Sequence, residues 1–226
     1  MLNSLAIVGT DTDVGKTVLT TALAAYWQKY HTPKSLGLMK LMQTGMGDGE
    51  LYRELFAGDS RIETVVPFTF NLPAAPPIAA AREGKSIDLA TVWNSYRTLS
   101  ENKDWTIVET LGGLGSPVTN ELTVADIVKD WHLPAVLVVP VRLGGISQAV
   151  ANVALARQTG VKLKGIVLNC TRSDSEENLD DWTPIRTIES FTYLPVLGVL
   201  PHLRETNNLD RLAQIASDLN LEKLSI

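Results

Sequence analysis

Six short apolar runs limit the folds open to this chain more than any other feature: Leu5–Val8, Leu36–Met39, Thr106–Val108, Ala135–Val139, Gly165–Leu168 and Val196–Leu200. They are rich in β-branched and aliphatic residues with little alternation, the pattern of strands buried on both faces. Most are followed by a segment of helical period, and strands alternating with helices need right-handed crossovers that cover both sides of a parallel sheet. The expected fold is therefore a three-layer α/β/α, doubly wound, mainly parallel sheet. With 226 residues the chain can bury one sizeable core but not two domains and a linker, so a single domain over 1–226 is expected.

The first crossover helix is predicted to start near Gly15 and run through Val18, Leu19, Ala22, Leu23, Ala25 and Trp27 toward Tyr30, with Pro33 beyond its end. A last helix carries Leu209, Leu212, Ala213, Ala216 and Leu219 on one stripe. Between Pro67 and Pro77 four prolines exclude a central strand or a helix interior, and the segment is read as an ordered loop near the ligand site.

Gly9-Thr10-Asp11-Thr12-Asp13-Val14-Gly15-Lys16-Thr17 lies between the first apolar run and the first helix, the setting of a phosphate-binding loop. Backbone N–H groups in such a turn cradle phosphate oxygens and the helix N-terminus adds its positive end. Lys16 would neutralise β/γ charge and Thr17 would offer a hydroxyl to Mg²⁺. Five residues separate the two glycines where the common pattern has four, but the Gly-Lys-Thr core is intact.

Further candidates lie at other strand ends, where ligands gather in open α/β sheets. Glu109 closes the Trp105–Val108 run, and the glycines Gly112, Gly113 and Gly115 that follow allow close backbone approach; its carboxylate is a candidate metal ligand rather than a surface cap. Lys40 closes the second strand ahead of Gln43-Thr44-Gly45. Asp48 and Glu50 come next, and either one caps the helix over Leu51–Phe56 or supplies a second metal carboxylate; spacing does not decide between them. Asn169 ends the Gly165–Leu168 run, where its amide would suit a base edge or simply form a turn.

Composition excludes several classes. A net charge of −5 gives no basic field for nucleic acid or anionic membrane. No apolar stretch approaches the roughly 20 residues that span a bilayer, and Met1–Val8 reads as a first strand rather than a signal peptide, so the expected location is cytoplasmic. Cys170 is the single cysteine, which excludes an internal disulfide and a Cys-rich zinc site. His31, His132 and His202 lack metal-ligand spacing and are read as structural or surface residues.

Along nearly its whole length the chain resembles the dethiobiotin synthetases. Its phosphate loop is similar to the family's Gly-Thr-Asp-Thr-x-Val-Gly-Lys-Thr, including the five-residue spacing. Lys40 with Thr44-Gly45 resembles the family's Lys-Pro-x-x-[Ser/Thr]-Gly, Pro67 with Thr69-Phe70 its proline-rich segment, and Glu109 with Gly112-Gly113 its Glu-Gly-Ala-Gly-Gly. The resemblance implies that 7,8-diaminononanoate forms a carbamate with CO₂, that the carbamate takes the γ-phosphoryl group of ATP, and that the second amine closes a ureido ring. It implies Lys16, Lys40 and Thr12 as catalytic residues, and Asp13, Val14, Gly15, Lys16, Thr17, Val18, Asn169, Pro201, His202 and Leu203 around ATP. Thr12, Lys40, Thr44, Gly112, Gly113, Leu143, Gly144 and Ser147 would line the diamine site, with Thr17, Asp48 and Glu109 on Mg²⁺. A homodimer is implied, in which the partner's Arg142–Ser147 loop helps hold the substrate carboxylate. The chain departs from the family pattern at Leu41 for proline, Thr110-Leu111 for Gly-Ala, Ser147 for Asn, and Asn207-Asn208-Leu209 for Glu-Asn-Leu.

Two rival classes share the phosphate loop. Partition or division-site ATPases of the ParA/MinD type carry a second lysine five residues before the invariant one, where this chain has Asp11, and a basic membrane-targeting helix that the C-terminal segment lacks. Cobyrinic acid amide synthases normally add a glutamine-hydrolysing domain with a nucleophilic cysteine, which 226 residues with Cys170 alone do not accommodate.

Overall fold

The computed structural model describes residues 3–45 and 47–224. Seven strands form one sheet: β1 (Ser4–Gly9), β2 (Leu36–Lys40), β4 (Ile62–Val65), β6 (Trp105–Gly113), β7 (Ala135–Pro140), β8 (Leu163–Asn169) and β9 (Val196–Leu200). Their order is β4-β2-β6-β1-β7-β8-β9, and every neighbouring pair is parallel. All six apolar runs are strands. Met1 and Leu2, which belong to the first-strand reading, lie outside the described residues, as do Met46, Ser225 and Ile226 of the single-domain expectation.

Alternate residues of each strand serve two different cores, which explains the unbroken apolar runs. Leu5 and Ile7 of β1 face one side with Leu36, Leu38, Ile107, Val136 and Val138. That face is covered by α1 (Lys16–Tyr30), α2 (Asp48–Phe56) and α9 (Leu209–Ser217) through Leu19, Leu23, Tyr52, Phe56, Leu212 and Ala216. Ala6 and Val8 face the other side with Met39, Val108, Leu137 and Ile166. There the cover comes from α4 (Leu89–Asn102), α5 (Val124–Asp130), α6 (Gly145–Thr159) and α8 (Ile185–Thr192). Leu19 and Leu23 are fully buried, each worth about 1.5–3 kcal/mol relative to exposure, so α1 is held on the sheet mainly by this stripe.

Two sequence expectations need correction. The Pro67–Pro77 segment is not all loop. Thr69–Phe70 is a short strand, β5, paired in parallel with β3 (Gln43–Thr44) in a separate two-stranded sheet, and Pro76 and Pro77 open α3 (Pro76–Arg82). Proline is tolerated in a helix's first turn because that N–H has no intrahelical partner. Secondly, Glu109 does not end its strand: β6 continues to Gly113. The Thr110 hydroxyl donates to the Ile7 carbonyl at 3.0 Å and holds the chain extended, while the β1 register shifts from Ile7↔Glu109 to Gly9↔Gly113.

β4 and α4 were not expected. Ile62–Val65 is a half-exposed edge strand with a weak apolar signal, and α4 is capped by the Asp88 carboxylate, which accepts from the Ala90 N–H at 3.0 Å. The last helix ends at Ser217, two residues short of Leu219, which still packs into the core.

Candidate active site

The strand order reverses at β1, whose neighbours β6 and β7 lead away to opposite edges. This is the switch point at which open α/β sheets place their ligand crevice. The loop from Gly9 to Gly15 leaves β1 there. Gly15 has φ +98°, and a Cβ at that position would meet the Asn169 amide nitrogen at 1.9 Å. Gly113 lies against the same loop, where an added Cβ would be 2.6 Å from the Thr10 carbonyl oxygen. Glycine is thus required on both sides of the turn.

Functional side chains arrive from three directions. Lys16, the first residue of α1, is buried and donates to the Asp11 carbonyl at 2.8 Å, which folds its ammonium back over the loop. Lys40 comes from the end of β2 and Glu109 from β6, at paired register positions. The Lys40 ammonium donates to Glu109 Oε1 at 2.7 Å and to Asp48 Oδ2. Thr17 Oγ1 donates to Glu109 Oε1 at 2.8 Å and lies 3.1 Å from Asp48 Oδ1. Glu50 points elsewhere. It accepts from Gln43 Nε2 at 2.7 Å and from the Gly47 N–H at 3.3 Å, which makes it the cap of α2 and puts Asp48 beside Thr17.

Glu109 is 0% exposed, so its carboxylate oxygens are satisfied by these donors rather than by water. Burial alone would lower the Lys40 pKa, but the Glu109 and Asp48 carboxylates outweigh it and hold Lys40 above the ordinary lysine range. Lys16 moves the other way: burial pushes it down to about 8, the nearby Lys40 charge adds to the fall, and Glu109, Asp48 and Asp13 oppose it. Both lysines are therefore mostly cationic at neutral pH, with Lys16 the more easily discharged.

These groups open on one cavity of about 400 Å³, lined by Thr12, Asp13, Gly15, Lys16, Thr17, Lys40, Thr44, Asp48, Glu109 and Gly112, with Met42, Gln43 and Leu111 completing the wall. The remaining expected residues lie around it. Gly113 belongs to a neighbouring cleft with Thr10, Asp11, Ser116 and Asn152. Asn169 is buried under the loop and donates to the Val14 carbonyl at 2.9 Å, so its amide nitrogen braces the phosphate loop. Pro201, His202 and Leu203 follow Leu200, the register partner of Asn169, and the His202 N–H donates to Glu176 at 2.8 Å. Leu143 is 76% exposed beside Gly144, and the Ser147 hydroxyl donates to the Gly144 carbonyl at 2.9 Å. Arg142 links this loop to the phosphate loop through Asp11 at 3.8 Å. Val18, next to Thr17 on α1, is half-buried against the α1 core.

One residue in this cluster escaped the sequence reading. The Tyr52 hydroxyl donates to Glu109 Oε2, and Tyr52 is fully buried. The available signal was its position one helical turn after Asp48.

Comparison with known proteins places the chain. The profile of a family described as an AAA domain matches residues 3–209. The ATP-dependent dethiobiotin synthetase BioD of Gloeothece citriformis is 61% identical over 221 residues, covering 98% of both chains. The chain belongs to the ATP-dependent dethiobiotin synthetases. Family members also include the BioD of a Synechocystis strain, 55% identical over 98% of this chain and 94% of the relative, and that of Bacillus subtilis, 30% identical over 96% and 95%. Among solved structures, a ParA family ATPase from Chlorobium tepidum superposes with a TM-score of 0.62 at 12% identity, covering 99% of this chain and 96% of that one. The Pyrococcus furiosus cell division ATPase MinD gives 0.59 at 15%, covering 99% and 100%. Those two likenesses concern the fold. In this dethiobiotin synthetase Thr110-Leu111 lie within β6, ahead of Gly112 and Gly113.

Proposed function

We propose that this dethiobiotin synthetase, acting as a single domain within a homodimer, carboxylates 7,8-diaminononanoate with CO₂ and closes the ureido ring at the expense of ATP. The observation that carries the reading is the convergence of Lys16 and Thr17 from α1, Lys40 from the end of β2, Asp48 from α2 and Glu109 from β6 on one cavity. An amine nitrogen bonds to the carbon of CO₂ and loses a proton, giving a carbamate. A carbamate oxygen then bonds to the γ-phosphorus as the bond to ADP breaks. The second amine attacks the carbonyl carbon of this carbamic-phosphoric anhydride, the C–O bond to phosphate breaks, and phosphate leaves as the amine gives up a proton. Each step needs charge neutralised and groups aligned more than it needs a protein nucleophile.

The residues fit those needs. Lys16 and the loop N–H groups hold the β/γ-phosphates, Lys40 faces the negative charge shared by carbamate and transferring phosphoryl, and Thr12, Thr44 and Gly112 shape the diamine side. A hydroxyl within hydrogen-bond reach of two carboxylates suits a hard divalent ion. Among the described residues no group of three or more His, Cys, Asp or Glu side chains is arranged to hold a metal. Thr17, Asp48 and Glu109 would hold Mg²⁺, whose charge would offset that of the phosphate oxygens. Leu143, Gly144 and Ser147 of the partner would receive the substrate's carboxylate tail. The proposed location is the cytoplasm; no helix among the described residues is long and apolar enough to cross a membrane.

The test is an omission series. The protein is incubated with ATP, Mg²⁺, bicarbonate and 7,8-diaminononanoate, and each is withheld in turn while ADP and the cyclic urea are followed. All four are expected to be required. ADP release indifferent to the diamine would overturn the proposal in favour of a nucleotide switch.

A further inference from the structure

We propose that Tyr52 is a positioning residue that fixes the orientation of the Glu109 carboxylate and thereby sets the metal affinity of the site. The inference rests on the reading of Glu109 as a Mg²⁺ ligand and adds to it the group that aims this ligand.

The two oxygens of Glu109 are divided between different partners. Oε1 accepts from Lys40 at 2.7 Å and from Thr17 at 2.8 Å, and so faces the cavity. Oε2 faces away from these two donors and accepts from the Tyr52 hydroxyl. The terminal torsion of a glutamate is broad and roughly two-fold, so a carboxylate held by one oxygen can swing. A donor on the second oxygen removes that freedom. Both side chains are 0% exposed, so no solvent competes for the bond, and an unpaired Oε2 would carry the full cost of its desolvation.

The tyrosine is itself well held. Its ring packs in the core between α1, α2 and the sheet, so the hydroxyl is presented by a rigid body rather than by a loop. Its place on α2 has a further consequence. Asp48 and Tyr52 are four residues apart on one helix and point to the same side, Asp48 to Thr17 and Lys40, Tyr52 to Glu109. One helix therefore supplies the second carboxylate and orients the first, and fixes their relative geometry.

Tyr52→Phe keeps the ring and deletes only the donor. The probe is Mn²⁺, whose binding to the full-length protein in the presence of ADP is read by electron paramagnetic resonance, alongside calorimetric ATP binding in EDTA. Outer partners of metal ligands typically contribute about 10–100-fold to affinity. Tyr52→Phe is expected to weaken Mn²⁺ binding by about tenfold while metal-free ATP affinity stays within about twofold. Glu109→Gln, measured in parallel, is expected to weaken Mn²⁺ at least as much. Unchanged Mn²⁺ affinity in Tyr52→Phe beside a weakened Glu109→Gln would overturn the positioning role alone. Unchanged affinity in both would overturn the metal-ligand reading as well. If the single Phe variant does not fold, Tyr52→Phe is placed in the Glu109→Gln background, where no buried charge is left unpaired. There the hydroxyl should no longer affect Mn²⁺, and a further tenfold loss would show that it does not act through Glu109.

Discussion

Replacing Lys40 with methionine tests the electrostatic core of the site, because the thioether chain keeps most of the lysine stem's volume while the ammonium is lost. That ammonium lies against two carboxylates, one of them at 0% exposure, and Lys40 itself is 5% exposed. Removing one partner of a buried ion pair typically costs about 3–5 kcal/mol, since the other charge is left without compensation. Here Glu109 retains the Thr17 and Tyr52 donors, and the Asp48 side chain is 35% exposed, so a smaller loss of about 2–3 kcal/mol is expected. For a chain of this size that corresponds to a fall in Tm of roughly 4–12 °C in metal-free buffer. Adding Glu109→Gln removes the stranded charge and should restore part of the loss. On activity, an ammonium aimed at charge that develops during phosphoryl transfer contributes about 2.7–4 kcal/mol, or roughly 10²–10³ in kcat. ATP binding in Mg²⁺ buffer should largely persist, because Lys16 and the loop N–H groups are untouched. The assays are thermal melting in EDTA, calorimetric ATP binding and steady-state ADP release dependent on the diamine. A Lys40→Met protein that melts with the wild type and turns over at a near-normal rate would refute the reasoning.

Two further outcomes follow from the geometry. Gly113→Ala should distort the phosphate loop, because the new Cβ would meet the Thr10 carbonyl oxygen at 2.6 Å and backbone cannot rotate aside; ATP affinity should fall at least tenfold with a stability loss of about 1–3 kcal/mol, read by calorimetry and melting. Asp59 accepts from the Arg61 guanidinium and backbone at 2.5–3.0 Å and from Gln28 at 3.1 Å, and the Arg61 hydrogen bonds hold its pKa down to about 2. A depressed carboxylate pKa stabilises above the unfolded value of 3.8 and ceases to do so as pH falls through about 2. After discounting for solvent screening the contribution is about 1 kcal/mol, so Asp59→Asn should lower stability at pH 7 by that amount, and the gap between the two proteins should close between pH 4 and 2 in urea titrations.

Much of the candidate site is legible in the sequence. Gly9–Thr17 is contiguous, and its chemistry follows from local geometry: a strand end, a turn of N–H groups, a helix start. The strands were legible because burial on both faces leaves unbroken apolar runs, whereas β4, at the half-exposed edge, left too weak a pattern. The proline-rich segment reads as all loop in the sequence because two-residue strand pairing and a proline-opened helix leave almost no periodic signal.

What the amino-acid order determined by itself is the class of fold, the phosphate loop and the placement of Lys16 and Lys40 beside strand ends, since each depends on residues adjacent in the chain or on a repeating period. Tertiary structure decided which acidic residue joins them. Asp48 and Glu50 are equivalent by spacing, and only the direction of α2 against β6 sends one to Thr17 and the other to its own helix cap. The same packing brings Tyr52 to the far oxygen of Glu109, 57 positions along the chain. Contacts of that kind depend on how two buried surfaces fit together, and no local pattern encodes them.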